Sequence, residues 1–278
     1  MDNTRWIVTA ALVRDTFREA FARLVFWGFY GLSTALIVFF LFILKIDVIE
    51  GARATVSLFG QGGKTRAVQE FVVMFQAGVA TFLYTLGMGL AVFASAGLIP
   101  SVLEPGRIEL LVSKPVPRYQ ILLGRYLGNL LVVALNVGYL VLGVWAILGW
   151  KTGVWRPGFL FAILTTVFIF AVLLAVLLLL GVLFESTALT VMITFGLMLL
   201  SPILAQTKLM ERLLSSEWTR LLWKGIYHAL PKVYDLGSMT VKLVRGKPVD
   251  DLTPIWTSAV FAVVLIVAAL GLFSRRDY

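Results

Sequence analysis

The side chains that could do covalent or metal chemistry are few in this chain. It has no cysteine and one histidine, His228. Without thiols there is no disulfide, thiolate metal site or cysteine nucleophile, and a lone imidazole argues against a histidine metal site or a catalytic triad. No catalytic residue, metal ligand set or bound cofactor is therefore expected. The stretch FGQGGKT, residues 59–65, has the look of a phosphate-binding loop. The full pattern needs a glycine five residues before Gly63, and Leu58 stands there. With no clear strand before it and apolar runs on both sides, it reads as a flexible turn.

A second polar segment is suited to recognition, not bond making. Residues 104–118 read EPGRIELLVSKPVPR. Pro105 suits the first turn of a helix, where its missing N–H is no loss, and Pro115 cannot continue one. The bracket predicts a helix of about nine residues, roughly 13 Å long at 1.5 Å per residue. Ile108 and Leu111 share a face with the neighbouring Leu110, while Arg107, Glu109 and Lys114 place charge around it. Lys114 falls in the last turn, where the helix dipole favours a cation. Pro117 then sets a second helix start, and RYQILLGRYLG carries Arg118 and Arg125 seven residues apart on one face. A short rigid helix joined directly to an apolar helix can transmit force.

The elements that must hold this segment follow from composition. The 278 residues are 60% hydrophobic and 14% charged, with a mean hydropathy of +0.94. Such a chain cannot hide its apolar surface in one soluble core. A bilayer core of roughly 30 Å needs about 20 apolar residues in a helix, and six uncharged runs meet or approach that length: 25–44, 71–99, 126–150, 159–184, 188–206 and 253–273. The expected fold is an all-α polytopic membrane protein with six transmembrane helices forming a single domain over 1–278. The first run is too long, and starts too late, for a cleavable signal peptide. Glu185, Ser186 and Thr187 alone separate the fourth and fifth runs, which predicts a tight hairpin.

Two further segments are amphipathic. In 1–24, Trp6, Ala10, Val13, Phe17, Phe21 and Leu24 recur at spacings of three and four, with Arg14 and Arg18 on another face. This predicts a helix in the membrane interface with its arginines at the phosphates. In the extracytoplasmic segment 207–252, Leu209, Leu213, Trp218, Leu222, Ile226 and Leu230 form a stripe that fits an interfacial helix, a re-entrant helix or a cap over the bundle. Within the spans, Gln76, Asn129 and Asn136 are amides in hydrocarbon. Asn129 and Asn136 share a helix face, and the expectation is interhelical hydrogen bonding, with contact to a transport path as the alternative. Arg14, Arg18 and Arg23 just before the first span favour cytoplasmic N- and C-termini, although a raw count of basic residues opposes it.

The segment EPGRIELLVSKPVPRYQILLGRYLG resembles the signature of ABC-2 type permeases, the transmembrane subunits of one exporter class of ATP-binding cassette transporters. Glu104, Gly106, Glu109, Leu110, Leu111, Ser113, Lys114, Pro115, Arg118, Leu123 and Gly124 carry the resemblance. Pro117 and Arg125 stand where serine and lysine are common. The resemblance implies a permease without an ATPase motif of its own, with ATP and Mg bound by a separate cytosolic ATPase whose groove receives the short helix. Glu104, Arg107, Ile108, Glu109, Leu110, Leu111, Ser113, Lys114, Pro115 and Arg118 would then contact that partner. It also implies two ATPase copies, a second permease copy as homo- or heterodimer, and a place in a bacterial or archaeal cytoplasmic (inner) membrane. Membrane lipids and an extracytoplasmic accessory protein are further expected partners, and nucleic acid is not. The expected function is export or extraction of a substrate by helix movement. The alternative is a non-transporting anchor, or a mechanotransmitting subunit of a larger membrane or maturation complex.

Overall fold

The computed structural model of the chain describes residues 2–22, 24–49, 53–58, 65–97, 100–102, 117–206, 216–249 and 251–275. Helix α1 spans Asp2–Ala22 and α2 spans Leu24–Val38, continued by a π turn over Phe39–Ile43. Strands β1 (Leu44–Ile49), β2 (Arg53–Leu58) and β3 (Thr65–Ala67) follow. Helix α3 (Val68–Phe82) runs through a π turn at Leu83–Gly87 into α4 (Met88–Ala96). The long α5 covers Arg118–Thr152, α6 covers Phe161–Phe184 and α7 covers Thr187–Leu204. Then come α8 (Glu217–Ala229), α9 (Val233–Val244) and α10 (Thr253–Arg275).

Five helical stretches are long and apolar enough to cross a membrane: Val68–Ala96, Tyr119–Thr152, Pro157–Phe184, Thr187–Leu204 and Thr253–Arg275. A sixth is reached if Ala10–Ala22 and Phe26–Phe42, bent by 72° at their break, count as one span. At that bend the Trp27 indole donates to the Phe21 carbonyl at 2.9 Å, and the Phe21 and Phe26 rings stand 4.6 Å apart. An aromatic cluster therefore holds α1 at an angle to α2.

Helix α6 is the axis of the bundle. It packs against α4, α5, α7, α9 and α10, and Ile169, Phe170, Leu173, Leu174, Leu177 and Leu178 are wholly buried. A helix apolar on every side belongs in such a position, because it has no polar face to present. It ends at Glu185, which takes the left-handed conformation at φ 52°. Ser186 then caps α7 by accepting from the Leu189 amide. Two residues thus make the hairpin turn.

Helices α8 and α9 divide the segment between the last two spans. No residue of α8 is buried, whereas α9 buries Val233, Leu236, Gly237, Met239, Thr240 and Val244 against α3, α6 and α7. So α9 is inserted among the spans and α8 lies outside them. The Tyr227 hydroxyl donates to Asp235 at 2.8 Å, and the Lys232 ammonium sits 4.3 Å from the Tyr227 ring centre. Burial pushes the Asp235 carboxyl above the usual carboxylate range, opposed by that hydrogen bond and by Lys232.

The helical spans are joined by a feature that counting apolar runs does not reveal. Residues 44–67 form a three-stranded antiparallel sheet in the order β1-β2-β3. Leu44 pairs with Leu58, Ile49 with Arg53, and Arg53 with Ala67. A strand therefore does precede the glycine-rich stretch, contrary to the sequence reading. It belongs to a sheet that returns directly to α3, not to a strand-to-helix nucleotide fold. Residues 59–64 lie outside the described set. Helix boundaries also shift: α5 begins at Arg118, eight residues before the apolar run, so the whole of RYQILLGRYLG is continuous with the span.

Helix α9 approaches the π turn of the second span closely at Gly237. A Cβ built on Gly237 would collide with the Tyr84 ring. Gly237→Val is therefore expected to overpack this contact by ~2 kcal/mol and to lower the thermal midpoint of the solubilised protein by roughly 4–8 °C. Adding Tyr84→Ala should recover part of the loss. An unchanged midpoint in Gly237→Val would contradict the close packing.

Candidate functional site

Three buried polar side chains of α5 fall on one stripe. Arg125, Asn129 and Asn136 follow at spacings of four and seven, so the stripe runs for about 16 Å along the axis. All three are buried, Arg125 to 2% exposure. Each faces a different neighbour.

At the lower end, Arg125 donates one guanidinium nitrogen to Asp15 at 2.9 Å and the other to Glu19 in a short contact. Asp15 and Glu19 are one turn apart on α1, so a single planar fork meets both carboxylates. Glu19 also accepts from the Ser101 hydroxyl at 3.1 Å. Removing an arginine from water costs several kcal/mol, and two carboxylates with good geometry are needed to offset it.

Two glycines bring the backbones close enough for this pairing. Gly124 and Gly128 are one turn apart on α5 and meet Leu12 and Thr16 of α1. A Cβ at Gly124 would lie 2.7 Å from the Leu12 Cβ, and one at Gly128 would lie 2.6 Å from the Thr16 Cβ. This is the small-xxx-small arrangement that lets helices approach in a membrane, where association depends on packing and hydrogen bonding. Thr16 and Ala20 are buried in this contact. The packed face of α1 is thus Leu12, Thr16 and Ala20. Ala10 and Phe21 of the apolar stripe seen in the sequence stay exposed beside Arg14 and Arg18. Helix α1 therefore has one face for α5 and another left for the membrane.

Higher on the stripe, the Asn129 carbonyl oxygen accepts from Ser95 of α4 at 3.1 Å, and that of Asn136 accepts from Ser33 of α2 at 3.0 Å. The Tyr126 hydroxyl donates to the Ala171 carbonyl of α6 at 2.9 Å. One helix is thereby tied through side chains to α1, α2, α4 and α6. Gln76, on α3, does not join the stripe. It is 1% exposed, and neither atom of its amide has a partner among the described residues, as is also true of the Asn129 and Asn136 amide nitrogens.

The segment expected to meet a partner, with Glu104, Arg107, Ile108, Glu109, Leu110, Leu111, Ser113, Lys114 and Pro115, lies outside the described residues. Arg118 opens α5, and its side chain is likewise outside them. What the structure describes is both flanks. Ser101 sits in a short 3-10 turn at Pro100–Val102 before the segment, and Pro117 caps α5 after it. Glu19 bonds to Ser101 on one side and to Arg125 on the other. The sequence reading missed Asp15, Glu19 and Ser101. The available signal was the acid pair at a spacing of four beside an amphipathic stripe, with a basic residue just inside the third span.

Residues 11–278 match the family described as ABC-2 family transporter protein. Among curated proteins no match is found.

Replacing Arg125 by Met is expected to leave Glu19 without its cation and to destabilise the α1–α5 contact by ~2–4 kcal/mol. Hydrogen exchange across residues 10–22 should rise accordingly, and Arg125→Lys should protect partially because it keeps charge but not the fork. Removing Arg125 and Glu19 together should be less damaging than the two single changes added, since the carboxylate then left without its cation, Asp15, is more than half exposed to water. Additive losses would show that the two side chains do not act as a pair.

Proposed function

The chain belongs to the ABC-2 family of transporter proteins and is a multi-pass membrane permease subunit that pairs with an ABC ATPase; we propose that it converts ATP hydrolysis by that partner into helix movement through the bracket that Glu19 forms around residues 103–116. The observation that carries this reading is the joint bond of Glu19 to Ser101 and Arg125. A push on the intervening segment reaches α4 through its first flank and α5 through its second. Because Glu19 couples the flanks, α1 is drawn along with both.

Beyond the bracket, the hydrogen bonds of Asn129 and Asn136 carry the same displacement to α4 and α2. The moving unit comprises α1, α2, α4 and α5, working against α6 with α7, α9 and α10. Two permeases and two ATPases would place a path between such units, with the termini on the ATPase side. The chemistry of ATP remains with the partner. Few polar side chains line the spans, which favours an amphipathic or lipid-linked cargo, exported or extracted from the membrane.

Glu109→Lys and Leu111→Asp test the docking step. Each variant should insert normally but lose the ATPase on affinity purification in mild detergent. Arg125→Lys tests transmission instead: the ATPase should still co-purify, while permease-dependent stimulation of ATP hydrolysis falls severalfold. If Glu109→Lys retains a stimulated ATPase, docking through this segment is wrong. If Arg125→Lys stimulates hydrolysis as the parent does, transmission does not pass through the bracket.

A further inference from the structure

The opposite end of the bundle holds a second concentration of cationic side chains. A cavity of about 400 Å³ opens there, lined by Gln69, Glu70, Val73, Met74, Arg156 and Arg245. Three separate elements build it. Gln69, Glu70, Val73 and Met74 share one face of the first two turns of α3, Arg156 precedes the short 3-10 turn that leads into α6, and Arg245 ends α9. The Arg156 guanidinium lies against the turn after α9, with Nη2 3.2 Å from where a Cβ on Gly246 would stand. Both arginines therefore reach the same opening, and neither has a carboxylate partner among the described residues.

The depth of this cavity is marked by aromatic side chains. Trp150 and Trp155, which flank the turn carrying Arg156, are 78% and 52% exposed. Exposed tryptophans at the end of an apolar span sit at the headgroup level. Val73 and Met74 lie about 6–8 Å deeper along α3 than its first turn. Cations at phosphate depth above an apolar wall reproduce the two parts of a phospholipid. Guanidinium groups pair with phosphate through charge-assisted hydrogen bonds.

We propose that this cavity is a binding site for a single glycerophospholipid. Arg156 and Arg245 hold its phosphodiester, Val73 and Met74 run beside the start of its acyl chain, and Glu70 accepts a hydrogen bond from a donor on the headgroup. The carboxylate gives the site a preference: headgroups with a hydroxyl or ammonium donor bind, and those with a quaternary amine bind less. The assignment does not depend on how the ATPase is coupled.

Native mass spectrometry of the full chain in mild detergent, titrated with phosphatidylglycerol, phosphatidylcholine or inorganic phosphate, tests it. Phosphatidylglycerol should add one tightly held molecule, and Arg156→Gln with Arg245→Gln should reduce its occupancy about tenfold. Arg220→Gln with Lys224→Gln, the same charge change on α8, should leave occupancy intact. Met74→Trp fills the apolar wall at an exposed position while keeping both arginines, and should also expel the lipid. Equal loss in the α8 control, equal occupancy by phosphatidylcholine, displacement by inorganic phosphate, or retention of lipid in both cavity variants would each overturn the proposal.

Discussion

Arg125 is buried among spans and shared by two carboxylates from another helix, and much of the architecture around it follows from that one constraint. A guanidinium cannot be left unpaired at this depth. Helix α1 must therefore lie where Asp15 and Glu19 reach it, which requires Gly124 and Gly128 to admit Leu12 and Thr16 at backbone distance. Helix α1 is consequently a fixed part of the permease. Its remaining apolar and basic faces stay available to lipid.

The same constraint gives the molecule a mechanical logic. Hydrogen bonds within an apolar bundle are sparse and each contributes modestly, about 0.6 kcal/mol on average in measured membrane cases. A contiguous row of them on one helix is a different object. Arg125, Asn129 and Asn136 tie α5 to three partners in sequence along its length, so one helix links α1, α4 and α2. The central α6 meets α5 through apolar contacts and through the Tyr126 bond to Ala171.

Much of the helical layout was legible in the sequence because a bilayer imposes length and polarity rules that a single chain must satisfy locally. The tight hairpin at Glu185 and Ser186 is an example, since three polar residues between two apolar runs leave no room for anything else. The sheet at 44–67 was hidden for the opposite reason. LKIDVI and RATVSL carry mixed residues that no apolar-run criterion selects, and pairing Leu44 with Leu58 is a non-local event. Likewise, the packing of α9 against the second span depends on where Gly237 meets Tyr84, which periodicity does not reveal. At the site, Arg125 was visible as a departure from a familiar motif, but its partners lie about a hundred positions away on α1. Asn129 and Asn136 were visible as costly amides, while Ser95 and Ser33, which satisfy them in part, are small residues with no signal of their own.

The absence of native cysteine makes a direct test of the moving unit straightforward, because every introduced thiol is unique. Spin labels at positions 14 and 127 would report the distance between α1 and α5, and labels at 14 and 192 the distance between α1 and α7. Double electron–electron resonance on the complex with its ATPase, with and without trapped nucleotide, should show the first distance unchanged and the second shifted. A change in the distance between 14 and 127 on nucleotide trapping would mean that α1 and α5 separate during the cycle, and the ion pair would then be a structural contact outside the transmission path.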